Sequence, residues 1–78
     1  MDDISDRLDQ LDWVLSGQEA MLTDKQLEER WQDCAQWRDW YSLEFVAAEQ
    51  EYRQWQKQTG GSRDEWHRIE RKKLEKKP

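Results

Sequence analysis

Residues 22–60 read LTDKQLEERWQDCAQWRDWYSLEFVAAEQEYRQWQKQTG, and within them Leu27, Trp31, Cys34, Arg38, Tyr41, Phe45, Ala48, Tyr52 and Trp55 follow one another at steps of four and three. That rhythm places all of them on one side of a helix, as in the seam of a coiled coil. No glycine or proline interrupts the stretch before Gly60. Its start carries two devices. Thr23 and Gln26 are spaced as a capping box, and Leu22 and Leu27 as a hydrophobic staple. Its end carries Gly60-Gly61, and glycine is the usual residue just past a helix C-terminus. The pattern predicts a single helix over about 24–58, which at about 1.5 Å per residue spans roughly 52 Å.

Working outward, Ile4, Leu8, Leu11 and Leu15 mark a shorter helix over about 3–20, with Asp3, Asp6, Asp9 and Asp12 between them. Carboxylates near a helix start suit the positive end of its dipole. Leu22 continues the register beyond Gly17, which is a weak point in or near this helix. On the other side, Ser62-Arg63-Asp64-Glu65 repeats the capping-box spacing and predicts a third helix over about 63–75. Its apolar content is thin (Trp66, Ile69 and Leu74), and its lysine-rich end, from Arg71 to Lys77, is expected to fray.

The expected fold is all-α: an antiparallel hairpin of the short and long helices, followed by a short C-terminal helix. The first helix, about 27 Å long by the same rise, covers the seam only from Leu27 to about Tyr41. Phe45, Ala48, Tyr52 and Trp55 need another cover: the third helix folded back, a second copy of the chain, or a different protein. Trp37, Trp40, Leu43, Val46 and Ala47 lie off the seam, so the middle of the long helix is apolar on most sides. A helix of that kind is buried all round. The simplest expectation is a homodimer in which two hairpins form a four-helix bundle.

Composition narrows the chemistry. At 78 residues the chain makes one domain, and with 40% charged against 35% hydrophobic residues it approaches the composition of disorder. Six tryptophans supply the dense packing that a small core needs. Cys34 is the one cysteine and His67 the one histidine, so neither an intrachain disulfide nor a Cys/His zinc site is available. Cys34, on the seam, is expected to behave as a small buried apolar residue. His67, among Glu65, Arg68 and Glu70, reads as solvated.

With no Gly-rich phosphate loop and no metal-ligand spacing, the expectation is a protein that is not an enzyme and uses no cofactor. The apolar runs are far shorter than the roughly 20 residues a membrane span requires. The acidic N-terminus lacks the features of a signal peptide. A cytoplasmic protein with no membrane partner is expected.

Charge divides the chain. Residues 1–61 hold 14 acids against 6 bases, a net of −8, and residues 62–78 hold 7 bases against 4 acids, a net of +3. The reading is an acidic helical hairpin followed by a basic helix or tail. Function is expected to be protein–protein interaction, as an adaptor or inhibitor of a larger machine. The size, acidity and tryptophan density are of the kind seen in small accessory proteins of phages and other mobile elements.

Trp37, Arg38, Trp40 and Tyr41 concentrate the residue types enriched at interface hot spots. With Leu43, Phe45, Ala48, Tyr52 and Trp55 they form the expected interface, for self-association and for an unidentified partner protein. Arg38, on the seam, is expected to pack its stem beside the tryptophans. A second reading is an assembly component that docks through Arg68, Arg71, Lys72, Lys73, Lys76 and Lys77. Nucleic acid could meet the same basic residues, or be imitated by the acidic body, but an overall acidic chain does not favour it.

Overall fold

In a computed structural model, which describes residues 3–76, the chain forms four helices: α1 Asp3–Ser16, α2 Asp24–Gln36, α3 Trp40–Thr59 and α4 Arg63–Glu75. The all-α class and the helix starts agree with the sequence. The Thr23 capping box is complete, with Gln26 N–H donating to Thr23 Oγ1 at 3.1 Å and Thr23 N–H to Gln26 Oε1 at 2.9 Å. The Ser62 hydroxyl likewise accepts from Glu65 N–H at 3.3 Å. Gly60, at φ 72°, takes the left-handed conformation that ends α3. Gly61 is required for a different reason: a Cβ there would collide with the ring of Trp55.

The long helix over 24–58 is corrected, because the chain breaks at 37–39 and doubles back. Arg38 adopts φ 55°, and Asp39 caps α3 by accepting from Ser42 N–H at 3.3 Å. A non-glycine residue in the left-handed region costs about 1–2 kcal/mol. The Asp39 cap returns about 1 kcal/mol of that. The decisive gain is burial. The break lays α2 along α3, so that Leu27 ends 1% exposed and Val46 also 1%. Each such side chain contributes about 1.5–3 kcal/mol. The first helix is also shorter than expected, ending at Ser16, because Gly17 turns left-handed at φ 72°.

Side-chain pairs give the directions. Asp24 and Glu28 of α2 meet Arg53, Lys57 and Gln50 of α3, so these two helices are antiparallel. Arg7 meets Glu51 while Trp13 meets Phe45, so α1 runs antiparallel to α3. Arg7 also meets Glu70 while Asp12 meets His67, so α4 runs antiparallel to α1. α3 is therefore central, with α1 and α4 on one side and α2 on another. Of the other helices, α2 packs against α3 alone.

The main core joins Leu11 and Val14 of α1, Ala48 and Tyr52 of α3 and Trp66 of α4, with Trp55 and Leu74 packed around it. The cover that Phe45–Trp55 needed thus comes from α1 and from the folded-back α4. α4 runs to Glu75, as its spacing predicts, and Ile69 is 42% exposed.

A buried ion network ties the pieces together. Glu49 is fully buried and accepts from Arg53 Nε at 2.8 Å and from Arg63 Nη1 and Nη2 at 2.6 and 2.9 Å. Arg53 also donates to the carbonyls of Glu19 and Leu22, and Arg63 to the carbonyl of Val14. The Arg63 guanidinium lies 4.5 Å from the centre of the Tyr52 ring. The hydrogen bonds that Arg63 donates to Glu49 raise the Arg63 pKa above its ordinary value against the opposing effect of burial. At Arg53 burial opposes the charge, and hydrogen bonds with Asp24 and Glu49 outweigh it.

Candidate protein-interaction surface

The break at 37–39 decides where the tryptophans go. With Arg38 in the left-handed region the chain turns between α2 and α3, and the large side chains beside the turn are left mostly exposed. Trp37 is 78% exposed, Trp40 58% and Tyr41 64%. Arg38 is exposed at the same turn and is not a seam residue. These four sequence-predicted residues thus follow one another, exposed, along a single turn, as an aromatic ridge.

The remaining five part company with them. Ala48 and Tyr52 are buried in the core and present no surface, while Leu43, Phe45 and Trp55 are half-buried. Trp31 is half-buried, as is Cys34, which was expected to be fully enclosed. Burial pushes the Cys34 thiol pKa up, and the carboxylate of Asp39 adds to this.

Below the ridge lies a groove of about 510 Å³ that the sequence reading missed. Trp13, Phe45 and Tyr41 line it, with Phe45 meeting Trp13 edge-on at 5.4 Å and Tyr41 at 5.1 Å between ring centres. Glu19, only 4% exposed, belongs to the same lining. Its Oε1 accepts from the Trp13 indole N–H at 3.0 Å. Its Oε2 accepts no hydrogen bond; Arg30 Nε stands 3.4 Å away, within ion-pair range but outside hydrogen-bonding geometry. Asp9 and Asp12 also line the groove. The spacing of Trp13 and Glu19 alone carried no signal, because only the turn after Gly17 brings them together.

Comparison of the chain with family models, with curated proteins and with solved structures gives no match. The surface must be read from its own chemistry.

The basic residues of α4 divide in two. Lys73 pairs with Glu70 at 2.8 Å and Arg71 with Glu75 at 3.9 Å. Arg68, Lys72 and Lys76 are exposed at steps of four, and among the described residues none of them has a side-chain partner. Lys77 lies outside the described residues. His67 is not solvated as expected: its side chain is 12% exposed and its Nε2 sits 2.8 Å from Asp12 Oδ1. Among the described residues no group of three acidic, histidine or cysteine side chains could hold a metal, and no helix is long and apolar enough to cross a membrane.

Proposed function

We propose that the chain is a small non-enzymatic interaction module, an adaptor or inhibitor of a larger protein machine, that docks through the ridge of Trp37, Arg38, Trp40 and Tyr41. The observation that carries this is the exposure of two tryptophans and a tyrosine at one turn. Such side chains bury large areas at interfaces and dominate their energetics. Leaving them in water gives the isolated chain nothing. Their cover is either a partner protein or the same ridge of a second copy, closing a homodimer about a twofold axis.

Changing Trp37 and Trp40 together to alanine tests the reading. Both side chains are exposed, so the variant is expected to melt like the parent, within about 0.5 kcal/mol. It is expected to lose either the dimer mass, twice 9.6 kDa by light scattering behind a sizing column, or retention of its partner. A variant that keeps both defeats the proposal.

The unpartnered row Arg68, Lys72 and Lys76 supports a second reading, an assembly component docking this face on an acidic surface. That interaction would weaken steeply with salt, whereas capture by the aromatic ridge would not.

A further inference from the structure

We infer that the groove lined by Trp13, Phe45 and Tyr41 is a receptor site for a cationic side chain, a lysine or arginine presented by the partner protein. This deepens the interaction reading and rests on it for the partner, but the site has a chemistry of its own. The three rings offer their faces and edges around one space, and aromatic faces attract cations within about 6 Å. Glu19 belongs to the same lining, more than nine-tenths buried, with one carboxylate oxygen held by the Trp13 indole and the other without a hydrogen bond. A buried carboxylate oxygen left without a donor is costly. Arg30 offsets this only in part: its Nε forms an ion pair with Oε2 at 3.4 Å without hydrogen-bonding geometry, and its side chain is 54% exposed. Asp9 and Asp12 also line the groove, so three carboxylates stand against one guanidinium, with the His67 ring against Asp12 Oδ1 at 2.8 Å.

An aliphatic stem with a positive end matches each of these features. The stem lies along the rings, and the charge is drawn to the carboxylates of Asp9, Asp12 and Glu19 that line the same groove. A purely apolar side chain would gain nothing from these carboxylates, and an acidic one would be repelled by them. Tyr41 belongs both to the groove and to the ridge, so a partner anchored on Trp37 and Trp40 places its next residues at the groove mouth.

The test uses the whole chain and a small probe, n-butylammonium, titrated at constant ionic strength while the Trp13 indole N–H resonance is followed by NMR. Saturable shifts at Trp13 and Tyr41 are expected. Neutral 1-butanol and anionic butyrate, of similar size, should bind at least about tenfold more weakly, since hydrogen bonds to charged groups are worth about 1.5–3 kcal/mol.

Two variants give opposite signs. Glu19→Gln keeps an acceptor for the indole and should weaken the cation about tenfold or more by the same argument. Arg30→Ala removes the competing positive charge from an exposed position and should tighten it. Should Glu19→Gln disturb folding, Arg30→Ala and the surface variant Tyr41→Ala still decide the matter, the latter by weakening the cation. Butanol or butyrate binding as well as the cation, no saturable shift at all, or an Arg30→Ala variant that weakens the cation overturns the inference. None of these readouts involves the partner, so the double tryptophan variant and this titration fail separately.

Discussion

The two sides of α3 are held by different physics. On one side α1 and α4 share an apolar core in which Leu11 and Val14 are fully buried, Ala48 is 1% exposed, and Tyr52 and Trp66 are 3% exposed. On the other side α2 buries Leu27 as its one fully enclosed side chain. Trp31, Cys34 and Ala35 are only half-buried, and polar contacts add to the attachment: Asp24 to Arg53 and Lys57, and Glu28 to Gln50. Burial of apolar area is insensitive to salt and pH, while exposed ion pairs are weak and screened. The α1–α3–α4 side should therefore behave as the stable body, and α2 as a separately opening unit that carries one edge of the aromatic ridge.

The joint between the two sides is Glu49, and breaking it should have the largest effect. Glu49→Ala leaves Arg53 and Arg63, whose side chains are 15% and 23% exposed, facing each other without their shared carboxylate. Removing one partner of a buried ion pair typically costs about 3–5 kcal/mol. A loss of that size in denaturant unfolding is expected, a large part of the roughly 5–15 kcal/mol available to a domain. A loss below about 1 kcal/mol would mean that the carbonyls of Val14, Glu19 and Leu22 satisfy the guanidiniums by themselves.

Next in size is a matched pair of truncations that separates the two sides. Leu11→Ala and Leu27→Ala each remove a buried leucine, a change that costs about 2–5 kcal/mol. Hydrogen exchange should distinguish where the loss falls. Leu11→Ala is expected to speed exchange across α1, α3 and α4 together. Leu27→Ala is expected to speed it in α2 while protection in α1 and α4 holds. Equal acceleration everywhere in both variants would show a single cooperative unit and remove the distinction between body and flap.

The same contrast explains what was legible in the sequence. Local signals were read correctly: the Thr23 capping box, the Ser62 cap and the Gly60 terminator all act within a few residues of themselves. The break at Arg38 was not read, because arginine carries no preference for positive φ and the apolar steps continue through it in phase. One sign was present, Asp39 ahead of the Trp40-Tyr41 pair, since aspartate is a favoured N-cap. The ridge itself was visible as aromatic density from Trp37 to Tyr41, although its exposure comes from a turn and not from a helix middle.

Glu49 was invisible for a different reason. A carboxylate after Val46-Ala47-Ala48 reads as the solvated face of a helix, and of its two partners only Arg53 lies at the helical spacing of four. Arg63 and the carbonyl acceptors are brought in by tertiary folding alone. Glu19 is the same case in the groove.

The smallest effect is at the edge of α2, and pH gives its sign. Asp24 accepts from Arg53 Nη1 at 2.9 Å and Lys57 Nζ at 3.1 Å, and these hydrogen bonds, Arg53 first, hold its carboxyl pKa below the ordinary 3.8. A carboxyl whose folded pKa lies below its unfolded one stabilises fully above about 3.8, and that contribution disappears as pH falls through the lowered folded value. The side chain is 62% exposed, so solvent screening keeps the contribution below about 1 kcal/mol. Asp24→Asn should therefore loosen α2 slightly at pH 7, read as faster exchange of its amides, with α1 and α4 unchanged. As pH falls through that lowered value the parent carboxyl takes up its proton and parent and variant should converge, and added salt should narrow the gap at pH 7. A gap that stays constant across this range would mean that α2 is held by the fit of Leu27 and its capping box and not by charge, which would make the two sides of α3 more alike than their side chains suggest.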